Sequence, residues 1–230
     1  MREIVLDTET TGLDPATGDR IVEIGAVELI NHLPTSNTFH YYLNPQRPMP
    51  PGAFEVHGLS DEFLRDKPLF KAIAPAFLDF IGDARLVIHN ASFDMKFLNA
   101  ELAAAGFATL PDIRATDTLL IARQKFPGSP ASLDALCRRF GIDTSAREKH
   151  GALLDSHILA EVYLELIGGR QPDLVLREET SRPRAVTDAA IPRATARPLP
   201  LPSRVTAEEL AAHAAFVDSL GDAAIWKLRQ

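Results

Sequence analysis

The amino-acid sequence predicts an α/β fold: a mixed β-sheet flanked by helices, followed by a flexible C-terminal tail that carries a short helix. Two apolar runs, residues 4–6 and 86–88, are each followed by polar residues, which is the pattern of buried strands. Segments with helical periodicity occur as far as residue 170, and a proline-rich stretch then begins. With 230 residues, 46% of them hydrophobic, the chain can build one such domain and a tail.

The order of the predicted elements follows from the spacing of apolar residues along the chain. The predicted strands cover residues 3–7, 20–30, 36–43, 85–89 and 114–117. The predicted helices cover residues 71–82, 92–105, 118–125, 132–140, 151–168 and 206–220. We expect the first three strands to form an antiparallel meander, and we expect a proline-rich loop at residues 45–51.

A change of composition after residue 170 predicts three regions: a folded domain at 1–170, a linker at 171–205 and a C-terminal segment at 206–230. The linker contains spaced prolines and no apolar period, which favours an extended chain. In the last segment, Thr206 and Glu209 have the spacing of a helix capping box. A single short helix is marginally stable in water, so we expect it to dock on another protein. Its docking residues would be Leu210, Phe216, Val217 and the later Trp226; the alternative is that it folds back on its own domain.

Charge and cysteine content restrict the class of protein and its compartment. The net charge of −7 predicts weak binding to DNA by the isolated chain, because proteins that bind nucleic acids alone are usually basic. Cys137 is the single cysteine and lies in an apolar helical pattern, so we expect it in the core of a protein kept in a reducing cytoplasm. No signal peptide and no membrane-spanning run is visible, so a membrane partner is not expected.

Three short polar blocks carry the chemistry of the chain. They place Asp7 and Glu9 after the first apolar run, Asp94 after the second, and Asp155 near the start of a helix. Four carboxylates in one pocket repel one another unless cations are present, and Mg²⁺ or Mn²⁺ prefers such oxygen ligands. Two divalent cations about 3.5–4 Å apart can activate a water and stabilise the leaving oxygen of a phosphodiester. These four residues are therefore the predicted ligands of two Mg²⁺ or Mn²⁺ ions.

His150 precedes Asp155 by five residues, and Gly151 lies between them. On one continuous helix the two side chains would diverge by roughly 140°. If the helix begins near Gly151, His150 lies in the preceding loop and can reach the metal site. An unperturbed pKa of about 6.5 suits a general base that removes a proton from water. His150 is therefore the predicted base.

In these blocks the sequence resembles the DEDDh exonucleases of the ribonuclease H-like superfamily. The family pattern is a DxE motif, a later Asp and an HxxxxD motif, and its five positions are filled by Asp7, Glu9, Asp94, His150 and Asp155. Further stretches look like the proofreading epsilon subunits of bacterial DNA polymerase III. These stretches are residues 21–28, 56–59, 132–137, 150–163 and 206–213, with Trp226.

The resemblance implies 3′→5′ removal of mismatched nucleotides from a DNA primer end. It implies contact of His57 with the terminal nucleotide, while Gly52 stands where the family often has an acid. Leu13 is expected to wedge between the last two bases, and Phe93 either stacks on a base or lies in the core. Thr10, with the acids Asp7, Glu9 and Asp155, completes the predicted substrate contacts.

The expected partners follow from the same resemblance. They are the polymerase III alpha subunit at the nucleoid-associated replisome and, as an open question, a small theta-like third subunit. Gln171, Leu174 and Leu176 resemble the short QxxLx(L/F) peptides that bind the sliding clamp, with a plain linker as the alternative. Two other functions stay open: an RNA-directed exonuclease of the oligoribonuclease type, and a non-catalytic scaffold that stabilises the polymerase.

Overall fold

A computed structural model describes residues 1–145, 149–169 and 205–221 of the chain. The chain divides into two compact units, Met1–Val175 and Leu176–Gln230. All five strands and the first seven helices belong to the first unit. Gln171, Leu174, Leu176 and Trp226, for which partner contacts were predicted, lie outside the described residues.

The first unit is built on a mixed five-stranded sheet, as predicted. Its strands are β1 (Arg2–Thr10), β2 (Ile21–Ile30), β3 (Leu33–Tyr42), β4 (Arg85–Ile88) and β5 (Ala115–Asp117). Their order in the sheet is β3-β2-β1-β4-β5. The first three strands form the predicted antiparallel meander, whereas β4 runs parallel to β1 and β5 runs parallel to β4. Because β1 is the central strand, residues carried by β2 on one side and residues that follow β4 on the other side lie next to it.

The seven helices of this unit surround the sheet. They are α1 (Pro51–His57), α2 (Asp61–Leu64), α3 (Phe70–Ile81), α4 (Ala91–Ala105), α5 (Thr118–Lys125), α6 (Leu133–Phe140) and α7 (Ala152–Leu166). Five of them match the predicted helices to within two residues, and α1 and α2 were not predicted. Pro51 occupies the first turn of α1, where proline is tolerated because that N–H has no partner within the helix. The last residue of the predicted proline-rich loop, Pro51, is therefore the first residue of a helix.

β1 is longer than the sequence predicted. Its apolar run was expected to end at Asp7, but pairing with β2 continues through Thr8 and Glu9 to Thr10. The parallel partner β4 pairs only with Glu3 to Val5. The acidic end of β1 is therefore held by β2 on one side and lacks a β4 partner on the other.

The alternation of side chains along β1 divides the core into two layers. Ile4 and Leu6 pack in a cluster with Phe77 and Phe97 of α3 and α4. Val5 faces the other way, in a cluster with residues of α7 that include Leu159 and Tyr163. Cys137 is buried in an apolar cluster between α6 and α7, as predicted.

Gly25 on β2 allows α7 to approach the sheet closely. A Cβ atom at this position would overlap the backbone of Ala152 and Leu153. Ser156 fixes the contact, because its hydroxyl donates a 2.9 Å hydrogen bond to the Gly25 carbonyl. The first turn of α7 thus lies directly over the strand that pairs with β1.

In the second unit, α8 (Ala207–Ser219) matches the predicted C-terminal helix. Thr206 and Glu209 form the predicted capping box. Leu210 and Phe216 are exposed, and Val217 is buried. Among the residues described, no helix has the length and apolar character needed to cross a membrane.

Candidate active site

The five residues of the predicted site come from four separate elements and line one cavity of about 560 Å³. Asp7 and Glu9 lie on β1, Asp94 and Asp155 lie in the first turns of α4 and α7, and His150 lies before α7. The remaining wall consists of Thr8, His89, Asn90, Phe93, Leu119, Arg123, Ser132, Leu133 and Asp134. The fold therefore brings together all four carboxylates and the histidine.

Glu9, His150 and Asp155 form the tightest group in this cavity. One ligand-type atom from each lies within 4.8 Å of the others, and His150 Nδ1 is 3.2 Å from Asp155 Oδ2. The geometry arises because Gly151 is the extended N-cap of α7, so that His150 lies in the loop and Asp155 in the first turn. This is the arrangement that the position of Gly151 predicted.

Burial and mutual repulsion oppose full ionisation of the acids. The pKa of Asp7 is raised well above its ordinary value, first by burial and then by the charges of Asp94, Glu9 and Asp155. Burial also raises the pKa of Asp94, to about 7. A hard divalent cation would relieve both effects, since it compensates the charge that desolvation disfavours. The donor set therefore fits the divalent metal that the resemblance to the exonucleases predicts.

Asp94 is oriented by a contact that the sequence did not suggest. The Thr8 hydroxyl donates a 2.7 Å hydrogen bond to Asp94 Oδ1. This bond lowers the pKa of Asp94 and so opposes the effect of burial. Asn90 begins the turn before α4 in a left-handed conformation, with φ of 65°, and its N–H donates to Asp117 Oδ1 at 3.1 Å. These two hydrogen bonds fix the start of α4.

His57 ends α1 and is buried beside the backbone of Thr10. Its Nδ1 accepts the Leu59 N–H at 3.0 Å, and burial lowers its pKa, although the nearby Glu23 acts in the opposite direction. The preceding carbonyl, that of Val56, accepts the backbone N–H of His150 at 3.3 Å. α1 and the loop that carries His150 are therefore in direct contact.

The other predicted substrate contacts occupy distinct environments. Leu13 is 81% exposed, beyond the end of β1. Phe93 lines the cavity, and its ring also lies 5.0 Å from that of Phe97 at the edge of the core. The Thr10 hydroxyl donates to the Gly12 carbonyl at 2.6 Å, which fixes the turn that leads to Leu13.

From the sequence, His89 is expected to be a structural residue, and Asp117 and Asp134 are expected to cap helices rather than to bind metal. His89 and Asp134 line the cavity, whereas Asp117 immediately precedes α5. His89 Nδ1 lies 2.9 Å from the Thr118 hydroxyl, and Asp117 caps α5 by accepting the Leu119 N–H, which agrees with structural roles. The expectation that Asp134 caps α6 is wrong. Ser132 is the cap, because its hydroxyl accepts the Ala135 N–H, whereas Asp134 lies in the first turn and lines the cavity.

Sequence reasoning missed Glu23 and Arg123. Glu23 is buried opposite Glu9 in the sheet register, and its carboxylate lies 2.7 Å from His40 Nε2. Arg123 lies in the last turn of α5 and lines the cavity. Glu23 could have been found, because it lies in a strand that was predicted to pair with β1. Nothing local in the sequence distinguishes Arg123 from other surface arginines.

The sequence model of the RNase_T exonuclease family matches residues 4–163, which include all five site residues. The chain therefore belongs to this exonuclease family. The DNA polymerase III subunit epsilon of Rickettsia felis is 49% identical over 223 residues, covering 96% of this chain and 97% of that protein. The chain is thus similar to an epsilon subunit along nearly its whole length.

Solved structures show the same fold. One is exonuclease X in complex with 5′ overhanging duplex DNA, with a TM-score of 0.56 and 28% identity, covering 71% of this chain and 90% of that one. Another is the nuclease domain of 3′hExo, a DEDDh family member bound to rAMP, with a TM-score of 0.62 and 20% identity. That match covers 72% of this chain and 91% of the other. The sheet and its helices are therefore those of the DEDDh exonucleases.

Proposed function

We propose that the protein is the 3′→5′ exonuclease proofreading subunit of a bacterial replicative DNA polymerase. The observation that carries this proposal is the convergence of four carboxylates and His150 in one cavity. It occurs in a chain of the exonuclease family that is similar to an epsilon subunit over nearly its full length. The reaction is hydrolysis of the last phosphodiester of a primer strand, which releases a nucleoside 5′-monophosphate.

Asp7, Glu9, Asp94 and Asp155 would hold two divalent cations, Mg²⁺ or Mn²⁺. Such ions, when bound, supply activation of a water and stabilisation of the leaving oxygen. The residues themselves provide a partly buried pocket whose raised pKa values mean that a bound metal must displace protons, so metal affinity should rise with pH. The close group of Glu9, His150 and Asp155 supports this assignment.

His150 is the proposed general base. Its side chain is about half exposed, at 47%, so it can pass a proton to solvent after each turnover. Asp155 Oδ2, 3.2 Å from Nδ1, orients the imidazole. The extended N-cap Gly151 lets the loop present His150 to the same cavity as the acids.

The terminal nucleotide would lie against Thr10, Leu13, His57 and Phe93. Leu13 is exposed and apolar, which suits a wedge between bases, and Phe93 offers an aromatic surface at the cavity wall. We assign the substrate as the 3′ end of DNA, in line with the DNA complex of exonuclease X.

The C-terminal region would recruit the protein to its partners. We propose that residues 1–170 form the exonuclease domain and that residues 206–230 dock on the polymerase III alpha subunit through Leu210, Phe216, Val217 and Trp226. Within the linker at 171–205, Gln171, Leu174 and Leu176 would contact the sliding clamp. Tethering raises the local concentration at the primer end, which offsets the weak DNA affinity expected from a net charge of −7. The protein would then act in the cytoplasm, at the nucleoid-associated replisome.

The test compares the wild-type protein with Asp7→Asn, in complex with the polymerase, on primers with paired and mismatched 3′ ends. We expect faster removal of the mismatched end by the wild type, and a loss in the variant larger than the roughly 10–100-fold typical of outer-shell changes at metal sites. A short RNA serves as the competing substrate. Faster digestion of RNA than of DNA would refute the DNA assignment, and wild-type activity in the variant would refute the metal site.

A further inference from the structure

Arg123 is an unassigned cation in the wall of the catalytic cavity. Of the described residues that line this cavity, it is the only lysine or arginine, whereas five are acids. It lies in the last turn of α5, and its side chain is exposed. A strand of nucleic acid entering the cavity would therefore meet this guanidinium.

The Arg123 guanidinium is not used by the fold. Within the described residues it makes no hydrogen bond and no ion pair. By contrast, Arg20 pairs with Glu101 at 2.6 Å, and Arg114 donates to the carbonyls of Gly82 and Ala84 at 2.8 Å. The nearby His89 cannot act as an anionic partner, because it is neutral or cationic, and burial lowers its pKa. The positive charge is available to a ligand.

The sheet order fixes which part of a bound strand this charge can reach. His57 lies near Thr10 and Glu23, on the β1–β2 side of the acids. Arg123 lies near His89, which follows β4 on the opposite side of β1. Under the proposed function, the terminal nucleotide lies toward His57. The rest of the strand then leaves past the acids toward β4 and α5.

We infer that Arg123 binds a backbone phosphate of the substrate strand on the 5′ side of the scissile phosphate. A guanidinium matches the geometry of phosphate oxygens and can donate two parallel hydrogen bonds. This contact reads no base and so suits an enzyme that removes any nucleotide. It also supplies positive charge on a flank where the acids would otherwise repel the strand. The inference rests on the proposed function for the direction of the strand.

The experiment measures hydrolysis by the full-length protein carrying Arg123→Ala on two substrates. One is a single-stranded oligonucleotide, and the other is the p-nitrophenyl ester of thymidine 5′-monophosphate, which has no phosphate beyond the one attacked. We expect KM for the oligonucleotide to rise about tenfold, as for loss of a charge-assisted hydrogen bond, with the ester unaffected. The slope of log(kcat/KM) against log[salt] should fall in magnitude by about 0.7, the value for one phosphate contact on a single strand.

Arg138→Ala is the matched control, since Arg138 is exposed on α6 and does not line the cavity. Arg123→Lys should retain the salt slope while losing part of the affinity, because lysine keeps the charge without the paired donors. An unchanged KM for the oligonucleotide in Arg123→Ala, or an equal loss on both substrates, would overturn the inference.

Failure of the proposed function gives a different result, because the wild-type protein would then leave the oligonucleotide intact. In that event, fluorescence anisotropy of a labelled oligonucleotide in the Asp7→Asn background tests the contact without hydrolysis. Weaker binding on adding Arg123→Ala, with no change on adding Arg138→Ala, supports the phosphate contact. Equal binding refutes it.

Discussion

The hydroxyl of Thr8 on β1 donates a 2.7 Å hydrogen bond to the carboxylate of Asp94 on α4. Both residues are buried, and the bond joins the central strand to a helix that begins far along the chain. The bond stabilises the ionised form of Asp94, whose pKa burial raises to about 7. Metal binding requires that ionised form, so Thr8 acts on the metal site without being a ligand.

Thr8→Val should therefore weaken metal binding. We expect Mn²⁺ affinity at pH 7 to fall by roughly 10–100-fold, the range found for outer-shell partners of metal ligands. The difference in Mn²⁺ affinity between the variant and the wild type should become smaller at higher pH, because protons then compete less for Asp94. Calorimetric titration of Mn²⁺ at two pH values checks this, with Thr38→Val at an exposed β3 position as the control. Equal affinities in the two variants would contradict the role of Thr8.

Asp7→Asn should stabilise the metal-free protein, increasingly so as pH rises. The raised pKa means that folded Asp7 binds a proton more tightly than the unfolded chain, whose Asp has a pKa of about 3.9. Stability is kept while Asp7 is protonated and is lost as pH rises through its raised pKa. The neutral amide avoids this loss.

The measurement is the difference in melting temperature between Asp7→Asn and the wild type, in chelator, from pH 4 upward. Taking the difference cancels the opposite effect of His57 and His89, whose lowered pKa values favour the folded state as pH rises. Each unit of pKa shift corresponds to about 1.4 kcal/mol. Added Mn²⁺ should make the melting temperature of the wild type the higher of the two, because the wild type then gains a ligand that the variant binds poorly. A difference that shrinks as pH rises would contradict the repulsion described.

Gly25→Ala should destabilise the fold and disturb the site. The added Cβ meets the backbone of Ala152 and Leu153, which cannot move aside without shifting α7. Overpacking typically costs about 1–3 kcal/mol, and a conflict with backbone should reach at least the upper end. Gly52→Ala is the control, since its Cβ meets nothing within 4 Å. Urea denaturation of both variants checks the prediction, and similar midpoints would show that the close approach is not rigid.

His150→Ala should lower the rate of hydrolysis by roughly 10²–10⁴-fold, the usual contribution of general acid–base catalysis. Mn²⁺ affinity should survive, because the four carboxylates remain. His157→Ala changes the same residue type on the exposed side of α7 and should leave the rate unchanged. Loss of Mn²⁺ binding in His150→Ala would instead make this histidine a metal ligand, which its closeness to Glu9 and Asp155 permits.

Truncation after Gly169 should leave an active nuclease that no longer binds the polymerase. The described sheet, cavity and first seven helices all precede this point, and Lys125 Nζ bonds the Leu166 carbonyl at 3.0 Å near the end of α7. Digestion of single-stranded DNA tests whether the truncated protein is active. Gel filtration with the alpha subunit tests whether it still binds the polymerase. Co-elution at the affinity of the full chain would remove the docking role of residues 206–230.

Local signals were sufficient for most of the fold. The mixed sheet and the helices after residue 70 followed from apolar periodicity and from Gly151, which marked the start of α7. The end of β1 at Thr10 was not predictable from apolar periodicity, because the residues after Leu6 are polar and their pairing with β2 is long-range. α1 was hidden because its first turn begins in a proline-rich stretch.

In the candidate site, too, some residues were predictable from local sequence signals and others were not. Its acids stood in recognisable blocks, so their meeting was predictable once strands and helices were placed. Thr8 and Glu23 matter through contacts with residues distant in the sequence, and Arg123 matters through its place in the cavity wall. No local sequence pattern indicates either property. Asp134 was misplaced because Ser132, two residues earlier, is the better cap: its short hydroxyl reaches the Ala135 N–H from the N-cap position.

One backbone hydrogen bond, from His150 N–H to the Val56 carbonyl, joins the loop of the proposed base to the helix that ends in His57. Through this bond, a movement of α1 would be passed to the loop that carries His150. Under the proposed function, the helix that ends in the nucleotide contact His57 and the loop that carries the proposed base would therefore be coupled, so a disturbance at α1 should lower turnover as well as binding.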